Sequence, residues 1–323
     1  MKPLTVSRGC MGSPFTIAAY PCAPGLAGGK LAAAVGFAFA EIARVEDLLT
    51  DFRPSPFNEI NEQAGVRPVK VTDEIMTLVE LSLTAAAETG GAFDISCAPV
   101  GMLWREAFRK GLPPAPGEIE RARALVGYGR IKINRARCEI YLPEKGMRIS
   151  LGSVGKSYGV DRAFEVLKDL GVKNYFVNGA GDIRVSSAAG AARPWRMGIK
   201  NPFRADEAAC GAFLVSRGAV VTSGDYERCM VYNGRRYHHI LDARTSAARD
   251  DITSVTVLDS TAVLANLSST AVMAMGPEDG ARLMAKRPGA RAVFILPGGK
   301  VVRCNTDSAA KTEPALCGQV KAT

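Results

Sequence analysis

Four stretches of this sequence gather Gly, Ser, Thr, Asn and Asp at points where regular elements should end. Such residues at loop tips leave backbone N–H groups open to a ligand and bring hydroxyls, amides and carboxylates to one place. The first stretch is Gly90-Gly91-Ala92-Phe93-Asp94-Ile95-Ser96. The second, Ser150-Leu151-Gly152-Ser153-Val154-Gly155-Lys156-Ser157-Tyr158-Gly159-Val160-Asp161, is a small-residue loop feeding a helix. Unpaired N–H groups and the positive end of a helix dipole suit an anion there, and Lys156 in the first turn adds a cation against a pyrophosphate. Neither the GxxxxGK[ST] spacing of a P-loop nor the GxGxxG of dinucleotide folds is present. Alone, the loop reads equally well as a tight helix start whose glycines permit close packing.

The third stretch is Val177-Asn178-Gly179-Ala180-Gly181-Asp182-Ile183. The fourth runs from Thr222-Ser223-Gly224-Asp225-Tyr226-Glu227-Arg228 to His238-His239-Ile240-Leu241-Asp242-Ala243-Arg244-Thr245. A His beside phosphate can accept the proton of an incoming hydroxyl. Neighbours on a strand point opposite ways, so only one of His238 and His239 can face a cleft, and His239 is the candidate. Asp225, Glu227 and Arg228 read either as part of a site or as a structural ion-pair cluster.

These stretches need elements to hold them. Residues 13–20 alternate as a strand, and Leu31, Val35, Phe39, Ile42, Val45 and Leu49 recur at the spacing of one buried helix face, ending before Pro54 and Pro56. A second helix starts after Thr72-Asp73 and stops at Gly90-Gly91. Past a Pro-rich linker around Pro113–Pro116, strands are predicted at 131–134, 138–142 and 147–151, then a helix from Val154 to Leu170 closed by Gly171. Further strands fall at 175–177, 182–185, 195–199, 213–215 and 254–258. A helix over 262–275 stops at Gly276, Pro277 opens another, and strands at 293–296 and 301–303 finish the core. Strands and helices are grouped rather than alternating, which favours α+β with mixed or antiparallel sheets flanked by helices, in one domain with or without two lobes. The domain is expected over 1–304, with a polar tail over 305–323.

With 323 residues, 47% hydrophobic and 23% charged, the chain has the composition of a soluble globular protein. The net charge of +9 is scattered and lacks interleaved aromatics, which argues against nucleic acid and fits an anionic cofactor or acidic partner equally well. No apolar run approaches the roughly 20 residues of a membrane span, so no stable membrane insertion is expected. The first residues lack the apolar core of a signal peptide or a lipobox before Cys10, which points to the cytoplasm. Eight cysteines without a CxxC pair, and only two histidines, predict incidental thiols rather than a zinc centre.

Taken in order, a glycine-framed FDIS, LGSVGKSYGVD, NGAGDI, TSGDYER and HHILDART resemble the ApbE family of FAD:protein FMN transferases. Met11-Gly12-Ser13 is similar to that family's opening MGT, and Trp195–Pro202 to its W-x-x-x-I-x-x-P. The resemblance spans roughly residues 11 to 290. It implies that the chain binds FAD, cleaves the pyrophosphate with Mg²⁺, and attaches FMN through a phosphoester to a Ser or Thr of a target flavoprotein. Carried over by motif, cofactor contacts fall on Met11, Phe52, Ala92, Phe93, Asp94, Ser150, Lys156 and Leu241. Phe52 stands where Tyr is common, and reads as a ring platform or a core aromatic. The family's metal site falls on Ser153, Asn266 and Thr270; Asn266 and Thr270, four apart, share one helical face. Catalytic roles fall on Asn266, Thr270 and His239.

Several positions depart from the family pattern. Asn266 replaces an acid, and an amide is a weaker Mg²⁺ ligand than a carboxylate. Ser150 replaces an Asp, Ser55-Pro56-Phe57 differs from a common S-E pair, and Thr245-Ser246 replaces T-G, which tests whether that turn needs positive φ. These changes leave three readings: an active transferase, a flavin-binding protein that stores, delivers or slowly hydrolyses FAD, or a scaffold for assembling a flavoprotein complex.

Overall fold

The computed structural model describes residues 2–21, 29–187, 194–204 and 209–305. The chain opens with a hairpin of β1 (Leu4–Cys10) and β2 (Ser13–Ala19), then α1 (Gly29–Leu49). A short α2 (Asn58–Glu62) and β3 (Val69–Lys70) lead to α3 (Asp73–Glu88), α4 (Ala98–Lys110) and α5 (Pro116–Arg123). Next come β4 (Lys132–Asn134), β5 (Glu139–Tyr141) and α6 (Val154–Asp169), then β6 (Tyr175–Gly179) and β7 (Asp182–Ser186). Strands β8 (Trp195–Ile199), β9 (Gly211–Val215) and β10 (Arg217–Gly224) precede two small hairpins, β11 (Cys229–Tyr232) with β12 (Arg235–His238) and β13 (Leu241–Asp242) with β14 (Ala247–Ala248). The chain continues through β15 (Ser254–Asp259), α7 (Ala262–Met275), α8 (Pro277–Ala285), β16 (Arg291–Ile295) and β17 (Val301–Cys304).

This is the α+β arrangement anticipated from the grouping of elements. An eight-stranded antiparallel sheet in the order β1-β2-β6-β7-β10-β15-β16-β17 forms the spine. Its strands alternate, so each face buries a different set of side chains. One face, with Phe15, Ile17, Val177, Val221, Val255 and Phe294, packs on the apolar stripes of α1, α6 and α7. The other, with Val185, Val220, Val293 and Ile295, is covered by Met197, Ile199, Phe213 and Val215 of the β8–β9 hairpin. A small satellite core of Val100, Trp104 and Ala107 stands under the β11–β12 hairpin, where Trp104 stacks on Tyr237 at 5.2 Å.

Local chemistry sets the helix ends. Thr72 Oγ1 accepts from the Ile75 N–H at the start of α3, and Thr261 Oγ1 from the Leu264 N–H at the start of α7, as N-caps do. Gly276, at φ +88, stops α7, and Pro277 opens α8. Two expectations are corrected. Residues 147–151 form no strand: the Asn61 amide takes both the N–H and the C=O of Ile149, replacing a neighbouring strand with a side chain. The stretch before Pro113–Pro116 is not merely a linker, since α4 precedes it and α5 begins at Pro116. Asn305 donates its side-chain amide to the carbonyls of Met284, Arg287 and Ala290; the tail beyond it lies outside the described residues. Among the described residues no helix is long and apolar enough to cross a membrane.

Candidate functional site

The start of α6 is where the sequence stretches meet. The Ser150 N–H donates to Ile95 O at 3.0 Å, joining the second stretch to the first. The Ala243 N–H donates to Ala92 O at 3.0 Å, joining the fourth to the first. Ser157 on α6 donates to Asp182 Oδ2, joining the third to the second. Ser223 Oγ lies 2.9 Å from Ser269 Oγ and 3.5 Å from Thr270 Oγ1, bringing the TSGDYER stretch against α7.

Ser150 Oγ accepts from the Gly152 N–H at 3.1 Å, a side-chain turn that sets the loop into α6. Ser153 is the first residue of helical geometry there, and its side chain makes no capping bond. Met11 occupies the two-residue turn of the β1–β2 hairpin, with φ +51 there and +68 at Gly12, the geometry of a type I′ turn. A Cβ on Gly159 would come 3.2 Å from Met11 Sδ, so this glycine lets Met11 lie on α6. Phe52 is 69% exposed, which excludes the core-aromatic reading, and the Arg105 guanidinium lies 4.3 Å from its ring centre.

Ala92 and Phe93 are buried. Asp94 is engaged by the protein itself: Oδ1 accepts from the Ser96 N–H and Oγ, and Oδ2 from the Tyr128 N–H. Burial pushes its carboxyl above the ordinary range, against those hydrogen bonds, which pull it down. Leu241 on β13 is half-buried and packs on the satellite core.

The two histidines divide as strand geometry requires. His238 is 1% exposed, with Nε2 2.8 Å from Arg249 O and Nδ1 accepting from the Ile240 N–H at 3.3 Å. Only the neutral ring with its proton on Nε2 satisfies both bonds. His239 is solvent-exposed, but protein surrounds it on several sides. That crowding lowers its pKa first, followed by the cations of Arg228 and, further down, Lys156. The ring is therefore neutral near pH 7. Lys156 forms no ion pair among the described residues, while its charge reaches both His239 and Asp182.

Asn266 is 6% exposed, and its Oδ1 is buried without a hydrogen-bond partner. Asp182, on β7, has its carboxyl pushed up to about 6, chiefly by burial. Asp161 on α6 takes the first two N–H groups of α7, from Ala262 at 2.9 Å and Val263 at 3.0 Å, and Arg184 binds it at 3.0 Å. Positions 153, 157 and 161 share one face of α6, and 262, 266 and 270 one face of α7. Asp161 ties the first face to the start of the second. Among the described residues no three His, Cys, Asp or Glu side chains converge as a metal cluster, so an ion here would meet chiefly neutral oxygens. The buried, unpartnered Asn266 Oδ1 is the observation that fits one.

Sequence reasoning quoted Asp161 and Asp182 within their motifs but assigned neither to the site. Arg105 carried no local signal, because only the fold sets it over Phe52. Asp225 and Glu227 pair with Arg236 and Lys200 rather than with Arg228.

Known proteins resemble this chain along most of its length. Residues 11–294 match the model of the ApbE family. The FAD:protein FMN transferase of Klebsiella pneumoniae (strain 342) is 32% identical over 227 residues, 70% of this chain and 70% of that protein. The one from Vibrio cholerae serotype O1 is 29% identical over 230 residues, 70% of this chain and 68% of that protein. Among solved structures, the ApbE protein of Thermotoga maritima is 28% identical, with a TM-score of 0.81 over 94% of this chain and 97% of that one. The Vibrio cholerae flavin transferase ApbE is 25% identical, with a TM-score of 0.83 over the same shares.

Proposed function

This chain belongs to the ApbE family, and from that premise we propose that it is an Mg²⁺-dependent FAD:protein FMN transferase acting on a Ser or Thr of a target flavoprotein. The observation that carries the reading is that hydrogen bonds join the separate motif stretches, Ser150 to Ile95, Ala243 to Ala92, and Ser157 to Asp182, and set Ser223 against Ser269 of α7. Transfer requires the acceptor oxygen to attack the FMN-side phosphorus while the pyrophosphate P–O bond breaks and AMP departs. Charge on the phosphoryl oxygens and on AMP must be offset, which is the chemistry a bound Mg²⁺ supplies.

The residues divide this work. Lys156 and the open N–H groups at the start of α6 face the diphosphate. Asn266 Oδ1, with the hydroxyls of Ser153 and Thr270, would hold the cation. His239, neutral near pH 7, takes the acceptor's proton. Phe52 offers an exposed face for a flavin or adenine ring, and Met11, Ala92, Phe93, Asp94, Ser150 and Leu241 shape the walls.

The test incubates purified protein with FAD, Mg²⁺ and a candidate acceptor and measures the acceptor's mass. A gain of one FMN, abolished by chelation, is the expected outcome. Tight FAD binding without any gain would favour the second reading, a protein that stores, delivers or slowly hydrolyses FAD. The amide at 266 and the hydroxyl at 150, both uncharged, are the features that speak for it.

A further inference from the structure

Arg105 stands on α4 and Phe52 in the loop after α1, and the guanidinium carbon lies over the Phe52 ring, 4.3 Å from its centre. The ring is 69% exposed even with that face taken, so its opposite face is open. Among the described residues Arg105 forms no ion pair, and the adjacent Glu106 carboxylate is taken by Arg109 and Lys110. Both segments touch the chain that enters α6. A Cβ on Gly155, in the first turn of α6, would come 3.9 Å from Leu49 Cδ1 at the end of α1. Arg148 donates to Asp51 O at 3.3 Å, one residue before Phe52. From the other side Ile95, just before α4, accepts from the Ser150 N–H at 3.0 Å. The contact of Arg105 with Phe52 therefore bridges two segments that meet the Ser150–Lys156 loop separately.

We propose that Arg105 is a positioning residue for the cofactor: it backs the Phe52 ring from one side, so that a flat ring of FAD stacks on the other. The idea rests on the FAD-binding reading above and on Phe52 as its ring platform. An exposed aromatic side chain samples several rotamers, and ordering it on binding weakens the complex. A cation held over one face by the ring quadrupole removes part of that cost in advance. Arginine suits the task because its planar group stacks on aromatic faces and keeps its charge. Isoalloxazine and adenine share the flat π face required, and they are separated by experiment. Arg105 thus acts through Phe52 and not on the diphosphate.

The full-length protein is titrated into FAD and followed by flavin fluorescence, for the wild type, R105A, F52A and R105A/F52A. Both side chains are exposed, so the variants are expected to fold, which far-UV circular dichroism verifies. F52A is expected to weaken FAD binding about tenfold, and R105A about 2–5-fold, the factor an exposed cation–π contact carries. In the F52A background R105A is expected to add nothing, because no ring remains to be held. An affinity in R105A equal to that of the wild type, or an R105A loss of the same size with and without Phe52, overturns the proposal while leaving FAD binding intact. FMN and ADP as competitors show which half supplies the ring: the half weakened in F52A, which R105A must weaken too. Losses for both halves in R105A, against one in F52A, place the guanidinium on phosphate and refute the proposal. An F52A variant that binds FAD as the wild type does removes the platform and this inference together. A wild type without FAD affinity removes the cofactor reading itself, and this inference with it.

Discussion

Ser246 stands at φ +60, in the left-handed region, where the family pattern carries Gly. It ends the loop between β13 and β14, its N–H donating to Asp242 O at 2.7 Å, and it is 2% exposed. Its hydroxyl is buried without a partner. A left-handed conformation costs a non-glycine residue about 1–2 kcal/mol. Leaving a buried hydroxyl unsatisfied costs about 1–3 kcal/mol more. Against these, glycine loses about 0.5–1 kcal/mol in chain entropy, and the missing carbon forfeits about 0.8 kcal/mol of burial. Ser246→Gly should therefore stabilise the protein by about 1–2 kcal/mol, an uncommon sign for a buried substitution. Urea denaturation reads this as a higher midpoint at an unchanged slope. Ser246→Ala removes the hydroxyl but keeps the strain, and should recover only part of the gain. A midpoint in S246G at or below that of the wild type would refute the reasoning, and would mean that the hydroxyl has a partner in solution.

The other predictions concern the site and its supports. D161A strands two N–H groups of α7 and leaves the Arg184 guanidinium with Glu165 as its remaining carboxylate, and should cost about 2–4 kcal/mol in urea denaturation. H239A should lower the rate of FMN transfer about 10²–10⁴-fold, read from acceptor mass against time, while FAD affinity is retained. F52A should weaken FAD binding about tenfold by fluorescence titration, yet shift stability by no more than about 0.5 kcal/mol, because the ring is 69% exposed. His238 contributes a pH dependence of known sign: burial holds its pKa below the ordinary 6.5, so the unfolded chain takes up a proton first as pH falls. Its contribution is complete above 6.5 and declines below it down to the folded value, and H238Q should remove that part of the slope in urea midpoints measured from about pH 8 to about pH 5.

Much of the scaffold was legible because long amphipathic helices announce themselves. The stripe from Leu31 to Leu49 became α1, and α7 spans the predicted 262–275 and stops at Gly276. Helix α4 escaped because only Val100, Trp104 and Ala107 of its 13 residues are buried, too few for a stripe; Pro in its first turn and Gly111 at its end were the available signals. Apolar alternation over 147–151 imitated a strand, since the sequence cannot say that a distant amide will satisfy Ile149. The site was legible as motifs and not as contacts. Asp94 looked open to a ligand, yet its oxygens are engaged by Ser96 and Tyr128, a bond formed across 34 residues. Asp182 sat in view within NGAGDI, but its bond to Ser157 depends on α6, which the sequence does not place beside β7.

The departures from the family pattern acquire a common logic in this arrangement. Ser150 keeps an oxygen on the Gly152 N–H, so the loop into α6 retains its turn while losing a charge. Asn266 likewise keeps its oxygen and loses a charge. Both substitutions keep an oxygen in place, but only Asn266 stands where burial makes an unpaired charge costly, since Ser150 is partly exposed. A site built on two faces locked by Asp161 does not need each ligand to carry its own charge, provided one anion remains close behind them.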